Sequence, residues 1–209
     1  MREEIINCAA ESPKRPGRSG AWEGGASLVG GMDYVIRKAT LDDRPAIREL
    51  IAESARGLSR EDYTGPQIEA AVATVFGVDT SLILDGTYFV AERGGALIGC
   101  GGWSRRRTLF GGDQYAERDS GELDPATEPA RIRAFFVHPA HARQGVGRRI
   151  LAACEDAAKA YGFRRLELMA TLPGLKLYRA CGYVGDERVA LEIGDGVSIE
   201  FVPMRKELS

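Results

Sequence analysis

The stretch from Phe135 to Arg148 reads FFVHPAHARQGVGR and joins a predicted strand to a predicted helix. The strand covers residues 132–137, and apolar side chains that recur at helical spacing place the helix at residues 146–161. Gly145 and Gly147 lie in the turn, where the absence of Cβ atoms leaves the backbone accessible. A helix N-terminus carries unpaired N–H groups and the positive end of the helix dipole, so this turn is suited to bind a diphosphate.

Arg143 and Arg148 add positive charge beside the turn, where a bound anion would lie. Two common phosphate-binding motifs do not fit these residues. A P-loop ends in Gly-Lys-Ser/Thr, but Gly147 is followed by two arginines; the dinucleotide fingerprint lacks its third glycine, because position 150 holds Ile150. A glycine turn that serves only to start the helix stays open as an alternative.

Outward from this turn, the hydrophobic pattern predicts the element order β-α-α-β-β-β-α-β-α-β-β over residues 34–204. The first two helices start at Thr40 and Thr64, which are favourable capping residues. The order predicts an α/β (α+β) fold in which helices flank one mixed sheet. The other predicted strands lie at residues 34–37, 88–93, 96–103, 165–170, 183–193 and 197–204, and a short helix at residues 175–181.

The chain has 209 residues, of which 44% are hydrophobic and 28% charged, and this composition fits one globular domain. Residues 1–31 differ from the rest, because they are rich in proline, glycine and cations and contain few apolar anchors. Such a segment buries too little apolar surface to offset the entropy lost on ordering. We therefore predict a flexible or disordered tail over residues 1–31 and a folded domain over residues 32–209.

The bulk properties also argue against several classes of protein. A formal net charge of −2 disfavours a nucleic-acid-binding protein. No apolar run approaches the roughly 18 residues that cross a bilayer, and no signal peptide is evident, which predicts a cytoplasmic protein without a membrane partner. The cysteines are too scattered for a disulfide scaffold or a zinc site, so no metal is expected. They are Cys8, Cys100, Cys154 and Cys181.

Residues 130–183 resemble the GNAT superfamily of acyl-CoA-dependent N-acyltransferases. The pyrophosphate motif of that family is Q/R-x-x-G-x-G/A, and the residues from Arg143 to Gly147 match its x-x-G-x-G part. The first motif position departs from the family, since it holds Ala142, and the adjacent Arg143 can supply the charge. The resemblance implies a GNAT-like, mostly antiparallel sheet of about seven strands. The sheet would splay between its fourth and fifth strands, with acetyl-CoA as cosubstrate in the gap.

The resemblance also implies which residues hold the cosubstrate. The main chain of Phe135, Phe136 and Val137 would hydrogen-bond the pantetheine arm, while the side chains fill the core. Thr171 stands where the family often has an asparagine, and its hydroxyl can still hydrogen-bond the cofactor or a water molecule. The implied cofactor-binding residues are Phe135, Phe136, Val137, Arg143, Gln144, Gly145, Val146, Gly147, Arg148 and Thr171.

Tyr178 lies in the segment LYRACGY, which resembles the family segment L-Y-x-x-x-G-F/Y. The family tyrosine donates a proton to the departing sulfur, so Tyr178 is the implied general acid; the alternative is a buried aromatic residue. Glu167 is the candidate general base, because some relatives use a glutamate on this strand, but it can equally be a solvated residue. His138 and His141 are interpreted as turn or surface residues.

These observations predict an N-acetyltransferase that moves an acetyl group from acetyl-CoA to a primary amine of a small molecule or peptide, by direct attack in a ternary complex. A non-catalytic acyl-CoA-binding sensor module is the alternative, and a nucleotide-binding enzyme is disfavoured by the missing Lys-Ser/Thr. The polar loop over residues 105–129 is rich in acids. It either forms an acidic wall for a cationic amine or is simply solvated. The sequence leaves the oligomeric state open, a homodimer included.

Overall fold

Seven strands of the described residues, numbered along the chain, form one mixed sheet. The computed structural model describes residues 33–115, 119, 121–194 and 196–208. The predicted tail over residues 1–31 lies outside these ranges and stays a prediction. The strands are β1 (Val35–Lys38), β2 (Tyr88–Arg93), β3 (Ala96–Ser104), β4 (Ala130–Val137), β5 (Arg165–Thr171), β6 (Val189–Glu192) and β7 (Ser198–Glu207). Their spatial order is β1-β2-β3-β4-β5-β7-β6.

Five α-helices flank the sheet in the described part of the chain. Helix α2 starts at its predicted cap, Thr64, where the side-chain oxygen of Gln67 accepts from the Thr64 backbone N–H at 2.9 Å. Thr40 instead caps a 3-10 turn over Leu41–Asp43, which leads into α1. No helix in the described ranges is both long and apolar enough to cross a membrane. The helices are α1 (Arg44–Leu58), α2 (Gly65–Thr74), α3 (Thr80–Leu84), α4 (Val146–Tyr161) and α5 (Leu175–Ala180).

The two central strands separate after a short stretch of pairing. All neighbouring strands pair antiparallel except β4 and β5, which pair parallel. That parallel pairing joins only Ala130 with Leu166 and Arg131 with Glu167. Beyond it, β4 remains paired with β3 and β5 remains paired with β7. The predicted GNAT-like fold, with a mostly antiparallel sheet splayed between the fourth and fifth strands, is therefore confirmed.

The apolar core consists of two layers, one on each face of the sheet. On one face, α4 packs Ile150, Leu151, Cys154 and Ala158 against the sheet, and these residues are at most 1% exposed, as the helical spacing predicts. The second layer lies under α1 and α2. Both layers hold β4 and β5 in place while the gap between the two strands stays open.

Two elements differ from the sequence prediction. Helix α3 was not predicted, because its five residues are too short to show a period; Asp79 caps it by accepting from the Ser81 N–H at 3.1 Å. The strand predicted over residues 183–193 is limited to β6, and before it only Val184 bridges to Arg205. The last strand continues to Glu207, beyond its predicted end at residue 204.

Candidate active site

The N-terminus of α4 exposes several unpaired backbone donors. After β4 the chain makes a short 3-10 turn over Pro139–His141, and Gly145 immediately precedes the helix. The first helical hydrogen bond is donated by Arg149 N–H to the Gly145 carbonyl at 3.1 Å. The N–H groups of the three residues before Arg149 consequently have no intrahelical partner, and no side chain caps the helix. Three donors and the positive helix end therefore converge at one solvent-facing point.

The two glycines of the turn have different roles. Gly145 has a φ of 84°, which favours glycine, and a Cβ atom built there would meet no atom within 4 Å. Gly147 is buried, and its Cβ would lie 3.1 Å from Leu177 Cδ2 and 3.5 Å from Val137 Cγ2. We expected both glycines to clear space for a ligand. At Gly145 the structure shows a positive φ beside open space, and ligand clearance there stays a prediction, whereas Gly147 lets α4 pack closely against α5 and β4.

Charged and polar side chains surround this turn in different ways. Arg143 and Arg148 are exposed beside the free N–H groups. Arg149, one residue further, lies over the Tyr34 ring at 5.0 Å. Gln144 Nε2 donates to the Ala140 carbonyl at 3.0 Å, so its side chain supports the turn. Of the two implied arginines, neither is committed to an ion pair within the described residues, and both remain available for an anion.

The two histidines beside the turn hold its backbone in place. His138 Nδ1 accepts from the Ala140 N–H at 3.1 Å, and its Nε2 lies 3.2 Å from a Glu53 carboxylate oxygen. His141 Nδ1 lies 3.3 Å from Arg93 Nη1. His138 thus supports the turn from within, and the contacts with Glu53 of α1 and Arg93 of β2 connect both histidines to other elements, which is consistent with a structural role. In the described residues, no group of three His, Cys, Asp or Glu side chains could hold a metal ion.

The main chain of β4 faces the gap at alternate residues. His138 N–H donates to the Ile98 carbonyl of β3 at 3.0 Å, and neighbouring residues in an antiparallel ladder point their backbone groups in opposite directions. Val137 consequently faces away from β3, and its N–H donates to Ser54 Oγ of α1 at 3.2 Å. By the same alternation, Phe135 faces the gap, whereas Phe136 pairs with Cys100 of β3. Of the three residues proposed to bind pantetheine, the backbone of Phe136 is thus turned away.

A β-bulge interrupts β4 where the two central strands have separated. Ala134 has a φ of 53°, and the β3–β4 register shifts opposite it. Its carbonyl accepts from the Tyr88 hydroxyl at 3.2 Å, and burial raises the pKa of Tyr88, which keeps that hydroxyl protonated. Such a left-handed conformation outside glycine costs about 1–3 kcal/mol and is common near active sites. No sequence pattern marks this bulge, because alanine normally avoids it.

A cleft lies beside the bulge, in the gap between β4 and β5. The end of α2, the loop segment at residues 109–112, and strands β4, β5 and β7 contribute to its walls. Most of the residues that line it are apolar or aromatic, while polar and apolar atoms share its exposed surface about equally. Among the lining residues are Phe76, Phe110, Phe136, Met169, Tyr178 and Phe201. The cleft and the α4 N-terminus thus lie along the same strand, β4.

Tyr178 reaches the cleft from α5 and is 7% exposed. Its ring meets Phe135 edge-on, with ring centroids 6.3 Å apart, and its hydroxyl has no hydrogen-bond partner among the described residues. Burial raises the pKa of Tyr178 well above its ordinary value of 10.0. The side chain is therefore a protonated phenol at neutral pH, with its one O–H donor uncommitted.

Strand β5 carries the other two candidate residues, Thr171 at its end and Glu167 in its first half. Thr171 lines the cleft. Glu167 lies where β4 and β5 are still paired, forms an ion pair with Arg131, and is not part of the cleft wall. The structure therefore brings Thr171 and Tyr178 together and leaves Glu167 outside.

The acids of the long loop are engaged by neighbouring groups. Glu128 pairs with Arg107, Glu122 pairs with Arg105, and Asp113 accepts from the Thr80 backbone N–H at 2.8 Å. Residues 116–118 and 120 of this loop lie outside the described residues. In the described part of the chain, none of the loop acids lines the cleft, so the structure does not support an acidic wall there.

Arg133 is the one charged side chain among the described residues that line the cleft. Its guanidinium lies 2.7 Å from Asp79, with the two side chains 1% and 0% exposed, and also donates to the Gly111 carbonyl at 2.7 Å. Sequence reasoning missed this buried pair, because its partners are 54 positions apart and neither lies in a motif. Ser54 was missed for a similar reason, since one serine on an apolar helix face carries no periodic signal.

Comparisons with known proteins agree with this geometry. A model of the Acetyltransferase (GNAT) family matches residues 47–183. No curated protein matches the chain significantly. Among solved structures, a GCN5-related N-acetyltransferase from Rhodopseudomonas palustris is similar with a TM-score of 0.63 and 21% identity, over 86% of this chain and 100% of that chain.

Two further similar structures contain a coenzyme. The PaiA N-acetyltransferase of Thermoplasma acidophilum, in complex with coenzyme A, has a TM-score of 0.58 and 16% identity, over 85% of this chain and 100% of that one. YncA of Salmonella typhimurium, with acetyl-CoA, has a TM-score of 0.56 and 18% identity, over 85% of this chain and 95% of that one. These likenesses support the fold, and the family match covers most of the domain. The chain belongs to the GNAT acetyltransferase family.

Proposed function

We propose that this protein transfers an acetyl group from acetyl-CoA to a primary amine of a small molecule or peptide, by direct attack in a ternary complex. One observation carries the proposal: the gap between β4 and β5 connects an anion-binding helix N-terminus with a cleft that contains an uncommitted, protonated tyrosine. A sensor module would need only the first of these two features. The second is what favours an enzyme.

The residues present fit acetyl-CoA. Its pyrophosphate suits the free N–H groups at the start of α4, and the exposed Arg143 and Arg148 can add charge-assisted hydrogen bonds. The backbone groups of Phe135 and Val137 face the gap and suit the amides of a pantetheine arm. Membership in the GNAT family and the two coenzyme-bound neighbours are consistent with this assignment.

The reaction requires the movement of one proton. A C–N bond forms to the amine, the thioester C–S bond breaks, and the proton lost by nitrogen is matched by one gained by sulfur. Acetyl-CoA supplies an activated acyl group for this exchange. Tyr178 is suited to give the proton to sulfur, because the residue lines the cleft and its protonated hydroxyl has no other described partner.

We assign no general base. Glu167, the base suggested by the sequence, is engaged by Arg131 outside the cleft. Because only a neutral amine can attack the thioester, the ammonium proton would pass to solvent before the attack. The cytoplasm stays the expected location; Cys100, Cys154 and Cys181 are free thiols in the structure, which suits a reducing compartment.

The Tyr178→Phe variant tests the proposal. Released thiol is measured with acetyl-CoA and a broad panel of primary amines, and acetyl-CoA binding is followed by its protection against thermal unfolding. Removal of the proton donor should lower kcat by roughly ten- to a thousandfold while leaving the protection intact.

Two results would contradict it. An unchanged single-turnover rate in Tyr178→Phe would remove this residue from the mechanism. Wild-type protein that is protected by acetyl-CoA, but releases no thiol with any amine, would instead support the sensor module.

A further inference from the structure

The walls of the cleft are built from phenyl rings of separate elements. Phe110 of the long loop stacks on Phe201 of β7, with ring centroids 6.0 Å apart. Phe76, just after α2, meets Phe136 of β4 edge-on at 5.6 Å. All four rings line the cleft together with Met169. A molecule bound in this space would therefore contact phenyl rings and the Met169 thioether on several sides.

The loop that carries Phe110 is held firmly against the rest of the domain. Gly112 N–H donates to the Val75 carbonyl at 3.0 Å, and Gln114 Nε2 donates to the Phe76 carbonyl at 3.0 Å. From the other side, Arg133 donates to the Gly111 carbonyl at 2.7 Å. These bonds connect the loop to the residues just after α2 and to β4, so Phe110 is held in the wall of the cleft by contacts within the folded domain.

The charge around the cleft disfavours a cation. The one charged lining residue in the described part of the chain is Arg133, which is itself positive and is paired with the buried Asp79. No described carboxylate lines the space, and Tyr178 is neutral at physiological pH. A second ammonium group would lose its hydration there without gaining a carboxylate partner, and contact with the ring faces would offset only part of that cost, whereas an apolar group would leave water favourably.

We propose that the acceptor is a primary amine carried on an aromatic or branched aliphatic group, with no second positive charge. This inference rests on the proposed function and adds the substrate class to it. The apolar group fills the space between the four rings, and the single amino group lies toward Tyr178 and the β4 bulge.

An amine panel separates this inference from the proposed function. We compare 2-phenylethylamine and isoamylamine with spermidine and 1,4-diaminobutane, using thiol release from acetyl-CoA. The expected result is a kcat/KM at least tenfold higher for the two apolar amines. A higher value for the diamines would overturn the substrate class but leave the acetyltransferase intact. Thiol release with none of the amines would instead count against the proposed function.

The length of the acyl chain provides a second check on what occupies the cleft. If the amine fills it, kcat/KM should be highest with acetyl-CoA and fall with butyryl- and hexanoyl-CoA. A rise of tenfold or more from acetyl- to hexanoyl-CoA, with no preference among amines, would mean that the rings bind an acyl chain. That outcome would overturn the inference.

Met169 offers a matched pair of variants. It is half-buried on β5, on the wall of the cleft. Met169→Glu adds a carboxylate, and Met169→Gln adds the same shape without the charge. We divide kcat/KM for 1,4-diaminobutane by kcat/KM for 2-phenylethylamine. This ratio should be at least tenfold higher in Met169→Glu than in Met169→Gln. An equal ratio in the two folded variants would contradict the assignment of this space to the amine.

Phe110→Asp and Phe110→Asn serve as the second pair, should the Met169 variants fail to fold. Phe110 lies on the loop side of the cleft and is half-buried, so its replacement disturbs the sheet less. The expected ratio shift has the same direction, and acetyl-CoA protection against thermal unfolding verifies that each variant is folded. A folded Asp variant with the same ratio as Asn would again contradict the inference.

Discussion

The two ends of the gap between β4 and β5 are built on different principles. The α4 N-terminus is made from about a dozen consecutive residues, uses main-chain N–H groups and lies open to solvent. The aromatic cleft draws side chains from α5, three strands, the end of α2 and the long loop, and most of these side chains are buried or half-buried. The first end suits an invariant cosubstrate, because many different side chains can support the same backbone. The second end depends on individual side chains and can therefore distinguish one amine from another.

The buried pair beneath the cleft should give the largest effect of substitution. Asp79→Asn leaves the Arg133 guanidinium, whose side chain is 1% exposed, without its counter-charge. Breaking such a pair costs about 3–5 kcal/mol, and we expect the free energy of unfolding in urea to fall by that amount. Acetyl-CoA protection should persist in the folded fraction, since the α4 turn lies elsewhere on the sheet.

The control for Asp79→Asn is Glu69→Gln in the exposed pair with Arg56, whose side chains are about half exposed. This substitution should change the free energy of unfolding far less, because solvent screens both charges. Equal losses in the two variants would mean that burial of the Asp79–Arg133 pair is unimportant for the fold.

Gly145 is the position in the turn before α4 at which an added charge should affect acetyl-CoA binding most. Aspartate and asparagine both tolerate a positive φ, and a side chain there enters open space. A carboxylate about 4 Å from a bound diphosphate is repelled by up to about 4 kcal/mol, so Gly145→Asp should weaken acetyl-CoA binding about a hundredfold or more. Calorimetric titration measures the change.

Gly145→Asn is the isosteric control and should retain most of the affinity. If both variants lose binding equally, the effect comes from sterics or backbone strain. If neither loses binding, the diphosphate does not lie at this turn.

The smallest effects are expected from the arginines around the turn. Arg143→Gln and Arg148→Gln should each weaken acetyl-CoA binding about three- to tenfold, because exposed charges are screened by solvent. The loss should shrink at high ionic strength. Arg149→Gln is the matched control on the same helix, since Arg149 lies over Tyr34. A larger loss of acetyl-CoA affinity in Arg149→Gln than in the other two variants would mean that the anion binds on the Arg149 side of the helix. That result would contradict the proposed site.

The same contrast explains how much could be predicted from the sequence. The β4–turn–α4 unit was predictable, because glycine spacing and helical periodicity are local signals, and α4 buries the four residues that the spacing indicates. The separation of β4 from β5 could be predicted only from the family resemblance, because strand pairing joins residues that are distant in the sequence and leaves no local pattern. At Gly147, spacing alone could not distinguish ligand clearance from helix packing, because the contact with Leu177 is made 30 positions away.

The cleft was beyond prediction for physical reasons. The acidic wall followed from loop composition and stays a prediction for the loop residues outside the described ranges, whereas the arginines at the start of the same loop engage Glu122 and Glu128. Glu167 lies on the expected strand, but it is one of the two β5 residues that still pair with β4, so it lies outside the gap. The Ala134 bulge and the Asp79–Arg133 pair arise from tertiary contacts that no local pattern encodes.

The hydrogen bond from Val137 N–H to Ser54 Oγ has a consequence for the energetics of the gap. This amide already has an acceptor in the free protein, so a ligand carbonyl that binds there replaces one bond with another. Because the hydroxyl can rotate and accept elsewhere, the exchange is close to neutral in free energy. Ser54 therefore acts as an internal substitute for the ligand. It spares the free protein an unsatisfied amide and limits how much that amide can add to affinity.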